Sequence, residues 1–398
     1  MDKICIISPS FPNMNCGLAD YAANLANFMG IVGAQVSVIT SDNAKIRAYA
    51  GSLSNASVRI YPVIRRWDLF ALFALRKAVS GMGCGSVNIL YHWNVYKDGI
   101  IKGLMVVFMP IFLKAGAGGR RVVISFVHDL MGPYLFPKAG PLRKPALLFM
   151  LACADAFIVH TREQEEQLTG LCRIFKKKVY RIPSGSGIFY EGQAGSVNAK
   201  EDPKDKKTVL SFFGYVYPSK GLEYLVRAMA MLVQRGYHLK LIIIGGQNLD
   251  YGNGSFSGYQ VRIRKLISEF KMEADVEWTG FCSPQEASDN LLSSDICVLP
   301  FEAGVSAKGS SFGTVLSHGL PLVTTKGEDI PDKLVDRQNV LLIPPCDPQA
   351  IAAAIEELIN NKELRLRLAS NAKKVYAEEY SWPVIAARVM NSCLQGAS

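Results

Sequence analysis

The sequence predicts two α/β domains in tandem, each a parallel sheet wrapped by helices. Three observations lead there. Short apolar, β-rich runs recur in two series, segments of helical periodicity separate them, and a polar, charged stretch over residues 191–207 divides the series. A chain of 398 residues is also too long for one ordinary core.

Taken in order, "KICIISP" reads as a first strand. Its apolar run breaks at Pro9, which suits a buried strand better than the apolar region of a signal peptide, so no export is expected. The periodic "LADYAANLANFMG" reads as a helix, and strands follow at "QVSVITS", "VRIYPV", "VNILYH", "RVVISFVHD", "AFIVHT" and "KVYRIP". Among the helices, "REQEEQLTGL" opens at Thr161 with Gln164 three positions on, a capping-box arrangement. The second series comprises "TVLSFFGYV", "LKLIIIGG", "VEWTG", "ICVLPF", "LPLVTT" and "NVLLIPP", with helical segments such as "GLEYLVRAMAMLVQRG" between them. From Asp347 onward the chain reads as helical throughout, with a break at Ser381 to Pro383, because proline cannot continue a helical ladder. The expected division is a first domain over residues 1–190, a linker over 191–207, a second domain over 208–378, and a terminal helix over 379–398 with no strand of its own.

Composition narrows the function classes. The nine cysteines are scattered, several within apolar runs, and none forms a CxxC pair, so they read as reduced core residues of a cytoplasmic protein without a zinc site or disulfide framework. The most apolar segment, "GLMVVFMPIFL", is about half as long as a membrane-spanning helix. A net charge of +10 points to an anionic partner. Lysine and arginine are spread rather than massed and no nucleic-acid motif is present, which argues against nucleic acid. In "RRWDLFALFALRKAV", "KGLMVVFMPIFLKAGAGGRR" and "PLRKPALLFMLA" basic residues flank apolar and aromatic ones, as in helices lying at a bilayer interface. A helix packed on a sheet carries an apolar stripe too, so peripheral membrane contact and simple packing both stand.

Doubly wound domains bind ligands at the carboxyl ends of their strands, which for two such domains means a cleft between them. The glycine clusters "GMGCGS" and "GAGGRR" do not link a strand to a helix, "IIIGG" lacks the spacing of GxGxxG, and no GxxxxGK[ST] is present. A nicotinamide or flavin enzyme and a phosphate-loop kinase are therefore disfavoured. What the sequence does contain is isolated phosphate-binding elements. In "FFGYVYPSKGLEYLVRAM" a strand leads to Lys220 and Gly221 at a helix start, where a lysine and free backbone N–H groups can share an anion. "AKGSSFG" repeats the arrangement after "ICVLPF" with Lys308, Gly309, Ser310 and Ser311. Two such sites in one domain suit a diphosphate.

The order and spacing of "ISPSFPNMNCGLADYAANLA", "FFGYVYPSKGLEYLVRAM", "LKLIIIGG", "VEWTGF", "LLSSDICVLPF", "SHGLPLVTT" and "YSWPVIAARV" resemble the retaining glycosyltransferases of the GT-B architecture, in particular family 4. The resemblance implies two Rossmann-like domains facing a cleft, a terminal helix crossing back to the first domain, a nucleotide-sugar donor held mainly by the second domain and an acceptor held mainly by the first. It places donor binding at Gly214, Tyr215, Gly221, Gly246, Phe281 and the Ser306 to Thr314 stretch. The family's two glutamates fall on Ser306 and Thr314, and the arginine of its first phosphate loop falls on Tyr215. A branch of the family with "GVS" followed by a basic residue, glycine and serine is similar, which makes Lys308 the substitute cation beside Lys220. These lysines would stabilise the departing diphosphate, with the hydroxyls of Ser306, Ser310 and Thr314 holding sugar or ribose.

In the first domain the resemblance sets Gly17 and Leu18, at a helix start, near the donor phosphates, and His128 near the reacting sugar. Asp20, His92 and Asp129 are candidates for acceptor binding, while His160, His238 and His318 are assigned to packing or surface. No nucleophile and no DxD cluster stand out, so the resemblance implies a metal-independent reaction, with no cofactor, in which the acceptor attacks on the face the diphosphate leaves. The expected acceptor is a lipid-linked or polysaccharide precursor at the cytoplasmic membrane face. Two other readings stay open: a catalytically weak sugar-nucleotide binding or scaffold subunit, motivated by the missing carboxylates, and a sugar-nucleotide epimerase of the same architecture.

Overall fold

The computed structural model describes residues 2–12, 17–52, 55–92, 100–115, 119–127, 130, 140–190, 207–246 and 257–395. All of the expected linker except Lys207 lies outside them. The chain forms two compact units, Met1–Gly187 with Trp382–Ser398, and Ile188–Ser381.

The first unit alternates strand and helix. The elements run β1 (Lys3–Ile7), α1 (Gly17–Ile31), β2 (Gln35–Ser41), α2 (Ala44–Ser52), β3 (Val58–Ile64), α3 (Ala71–Met82), β4 (Ser86–Tyr91), α4 (Ile100–Lys114), β5 (Arg121–Phe126), α5 (Gly140–Cys153), β6 (Ala156–Val159), α6 (Arg162–Cys172) and β7 (Lys178–Arg181). The seven strands pair in parallel in the order β3-β2-β1-β4-β5-β6-β7. Every residue of β4 is buried, as helices on both faces of a central parallel strand require. Pro62, which has no N–H for a ladder, sits in the edge strand β3. α6 opens with the capping box expected from its sequence, Thr161 accepting from the Gln164 N–H and the Gln164 side chain accepting from the Thr161 N–H.

The second unit repeats the plan with β8 (Thr208–Phe213), α7 (Leu222–Gln234), β9 (Leu239–Ile244), α8 (Ser257–Glu269), β10 (Val276–Gly280), α9 (Pro284–Leu292), β11 (Ile296–Leu299), α10 (Ser311–Ser317), β12 (Leu322–Thr325), β13 (Leu341–Ile343), α11 (Pro348–Asn360) and α12 (Lys362–Val375). Its six parallel strands run β10-β9-β8-β11-β12-β13. Strand order reverses between β8 and β11, which makes that junction the switch point where ligands of such sheets bind.

Every run read as a strand in the sequence is one. The segment from Asp347 departs from expectation, because it is not a single helical run broken only at Ser381 to Pro383. Asn361 leaves helical conformation and its side chain accepts from the Leu364 N–H at 2.9 Å, so it ends α11 and caps α12. A π-turn over Tyr376–Tyr380 follows, and α13 (Trp382–Leu394) then packs on α1 and the middle of the first sheet. The Trp382 indole N–H donates to the Ser186 carbonyl at 2.7 Å, and its ring stacks on Phe28. Gly185 leaves the space for that indole, since a Cβ there would collide with it.

Candidate functional site

In the second unit the loops leaving β8, β9 and β10 meet through glycine. Gly214, at φ +132°, donates its N–H to the Ile244 carbonyl, and Gly245, at φ +128°, lets the Gly214 carbonyl approach where any Cβ would block it. Val216 N–H donates to the Gly246 carbonyl at 3.2 Å. Gly246 in turn lies against Phe281, whose exposed ring meets the exposed Tyr215 ring edge to face at 5.8 Å. Four of the expected donor-binding residues, Gly214, Tyr215, Gly246 and Phe281, are therefore neighbours.

Lys220 sits at the end of a 3-10 turn, Pro218–Lys220, followed by Gly221 in the left-handed region at φ +67° and then by α7. A Cβ on Gly221 would strike the Pro300 carbonyl, and the Glu302 N–H donates to the Ser219 carbonyl at 3.1 Å. These contacts stitch the loop after β8 to the chain leaving β11. The Lys220 ammonium lies 4.6 Å from the Phe301 ring centroid and 5.4 Å from that of Tyr217. Aromatic faces favour a cation, but desolvation dominates and pushes the Lys220 pKa down to about 8. The residue as a whole is only partly buried, with its ammonium end against the Phe301 and Tyr217 rings. Among the described residues no carboxylate lies within ion-pair distance of it.

After β11, Gly304 at φ +85° packs on Gly327, and Val305 N–H donates to the Thr325 carbonyl at 3.0 Å. Ser306 Oγ donates to Asp329 at 3.3 Å and accepts from the Lys308 N–H at 3.4 Å. Gly309 N–H closes the turn on the Ser306 carbonyl. Lys308 and Gly309 are half-buried, Ser310 is exposed, and the Ser311 hydroxyl borders Gly214. Thr314 turns inward: it is buried, and its hydroxyl donates to the Ser310 carbonyl at 3.3 Å. Ser311 is therefore the α10 hydroxyl that borders the β8 loop. Asp329 is the carboxylate that sequence reasoning missed. Its signal is its position just past "LVTT", at a strand's carboxyl end like the lysines.

In the first unit Gly17 opens α1 and is exposed, while the Leu18 side chain is buried. Asp20 lies in the first turn of α1, exposed, with desolvation raising its carboxyl pKa. His92, buried, follows β4. His128 and Asp129 lie outside the described residues. The remaining histidines hold structure or surface. His160 Nδ1 bonds the Ile182 carbonyl at 2.7 Å, His318 is buried between Ser288 Oγ and the Thr314 carbonyl, and His238 is exposed.

Known proteins resemble this chain in part of its sequence and in its fold. Residues 196–375 match the family Glycosyl transferases group 1. That segment holds every second-unit site residue described above. Alpha-D-kanosaminyltransferase from Streptomyces kanamyceticus is 25% identical over 61% of this chain and 60% of its own. The chain spans about half the length of the curated relatives it matches, 45% to 60%. Among solved structures, a glycosyltransferase from Rickettsia africae superposes with a TM-score of 0.72 at 11% identity over 99% of both chains. HepE from Anabaena, solved in complex with UDP, gives 0.68 at 14% identity over 98% of this chain and 99% of its own. At those identities the likeness is one of fold, and the fold is the GT-B pair of Rossmann-like units. Among the described residues no helix is long and apolar enough to cross a membrane.

Proposed function

We propose that this protein is a glycosyltransferase that moves a sugar from a nucleoside diphosphate donor to a lipid-linked or polysaccharide-precursor acceptor at the cytoplasmic membrane face, with retention at the anomeric carbon. One observation carries the reading: Lys220, a desolvated cation without a carboxylate partner among the described residues, is held at the switch point of a sheet, where the loop after β11 carries Lys308 and sets the Ser311 hydroxyl beside Gly214. A buried ammonium is costly unless an anion answers it, and a diphosphate supplies that anion.

In this reading Lys220 and Lys308 neutralise the charge that gathers on the diphosphate as the sugar bond breaks. Gly17 and Leu18 are assigned to the donor phosphates by the family resemblance alone, and Tyr215 and Phe281 give the nucleoside base an aromatic edge. The leaving phosphate oxygen takes the proton of the attacking acceptor hydroxyl on the same face. By the family resemblance alone, His128 would act near the reacting sugar, and Asp20, His92 and Asp129 would receive the acceptor. Uridine diphosphate sugars are the first donors to try, because HepE is solved with UDP and with UDP-glucose.

The test is a calorimetric and nucleotide-release screen of the purified protein against a panel of nucleoside diphosphate sugars, with and without membrane lipid extract. Release of nucleoside diphosphate that requires the extract is the expected result. Tight binding of one donor with no release under any condition would make the protein a binding subunit, and donor conversion without acceptor would make it an epimerase.

A further inference from the structure

Three helices of the first unit carry a surface that the proposed transfer chemistry does not use. α3, α4 and α5 pack side by side, and ring contacts join their outer faces: Phe73 meets Phe112 edge to face at 5.6 Å, and Phe108 meets Phe149 at 5.5 Å. Leu75, Met105, Met109 and Met150 of the same helices turn the other way, into the core on the sheet. Phe112 packs partly on the core, and the other three rings are exposed. Phe73 is 62% exposed, and Ile101, Leu142, Phe108 and Phe149 are exposed on the same helices. A helix layer apolar on both faces and buried on only one marks a site for a second apolar partner.

Charge identifies that partner. α3, α4 and α5 carry six lysines and arginines and no aspartate or glutamate; Arg76, Lys77 and Lys144 are exposed, while Lys114 is paired with Asp155 at 2.6 Å. A second copy docked through the same face would bring the exposed Arg76, Lys77 and Lys144 of each copy together with no carboxylate on those helices to answer them. The helices, of 12, 15 and 14 residues, are also too short to cross a bilayer.

We propose that the α3–α4–α5 face docks on an anionic lipid bilayer, its aromatic rings at the boundary of headgroups and acyl chains and its lysines and arginines at the lipid phosphates. This deepens the acceptor half of the proposed function. The test reads vesicle binding rather than sugar transfer, so the two can fail separately.

The full chain is floated with vesicles of phosphatidylcholine containing about one-third phosphatidylglycerol, and with phosphatidylcholine alone, at low and high salt. Binding to the anionic vesicles that weakens with salt is expected. The double substitution Phe73→Ser with Leu142→Ser, and separately Arg76→Gln with Lys77→Gln and Lys144→Gln, should each lower partitioning about tenfold or more while leaving thermal unfolding unchanged. In the unsubstituted protein, hydrogen exchange should slow in α3, α4 and α5 when anionic vesicles are added, a readout that does not depend on any variant folding. No binding to anionic vesicles, equal binding to neutral ones, or no protection of these helices overturns the proposal. A dimer in solution that the Phe73→Ser, Leu142→Ser protein loses also overturns it, and assigns the face to a second copy.

Discussion

Desolvation acts on the charge of the partly buried Lys220, and the consequence is measurable in two directions. Its pKa lies at about 8 in the folded state against a reference of 10.5, so between those values the unfolded chain binds more protons than the folded one. Stability contributed by this residue therefore rises with pH across that window, and below about pH 8 the penalty is present in full. Lys220→Met removes the charge at similar volume. It should stabilise the protein by ~1–3 kcal/mol at pH 7, with the gain vanishing near pH 10.5, as read by denaturant unfolding at both pH values. The same substitution should weaken nucleoside diphosphate binding about tenfold or more, and binding to the unsubstituted protein should fall as pH rises through 8. A stability gain with affinity intact would make Lys220 a structural residue. Lys308→Ala should lower donor affinity or turnover by about tenfold or more, measured by calorimetry and steady-state kinetics, and unchanged values would remove Lys308 from the site. Both lysines are legible in the sequence, because lysine and glycine after an apolar run form a local pattern. The burial of Lys220 is not, since Phe301 comes from a loop eighty-one positions on.

The loop between β8 and α7 is where element geometry decides the site. Gly221 needs its left-handed backbone to turn the chain into α7, and it needs the absence of a side chain to pass the Pro300 carbonyl. Gly221→Ala violates both requirements and should cost ~2–4 kcal/mol in chemical denaturation. Because the adjacent Lys220 must shift with the backbone, nucleoside diphosphate affinity should drop as well. Stability close to the unsubstituted value would show that the loop can re-route without strain. At this scale the sequence was legible where signals are local, as in the capping box of Thr161 and Gln164 and the alternation of strands with helices. It was not legible at Asn361, where a polar cap interrupts a continuous helical composition, nor at Thr314, whose hydroxyl direction depends on which face of α10 is buried.

At the scale of the whole molecule, the chain's last helix belongs to its first unit. Trp382 is 1% exposed and is held by Ser186, Phe28 and Tyr21, so Trp382→Ala should cost ~3–5 kcal/mol. Proteolysis under native conditions should then cut the first unit sooner than the second, and equal susceptibility of both would argue that α13 only decorates the sheet it lies on. The sequence by itself determined the strands, the helices between them and the strand-end loops that carry lysine and glycine, because periodicity, caps and turn residues act over a few neighbouring positions. Only the tertiary structure decided that β8 lies beside β11, that their loops bring Lys220 next to Phe301 and Ser311 next to Gly214, that Asp329 reaches Ser306, and that α13 rejoins the first sheet. Those facts depend on contacts between residues far apart in the chain, whose free energy comes from burying surfaces against each other and leaves no local pattern to read.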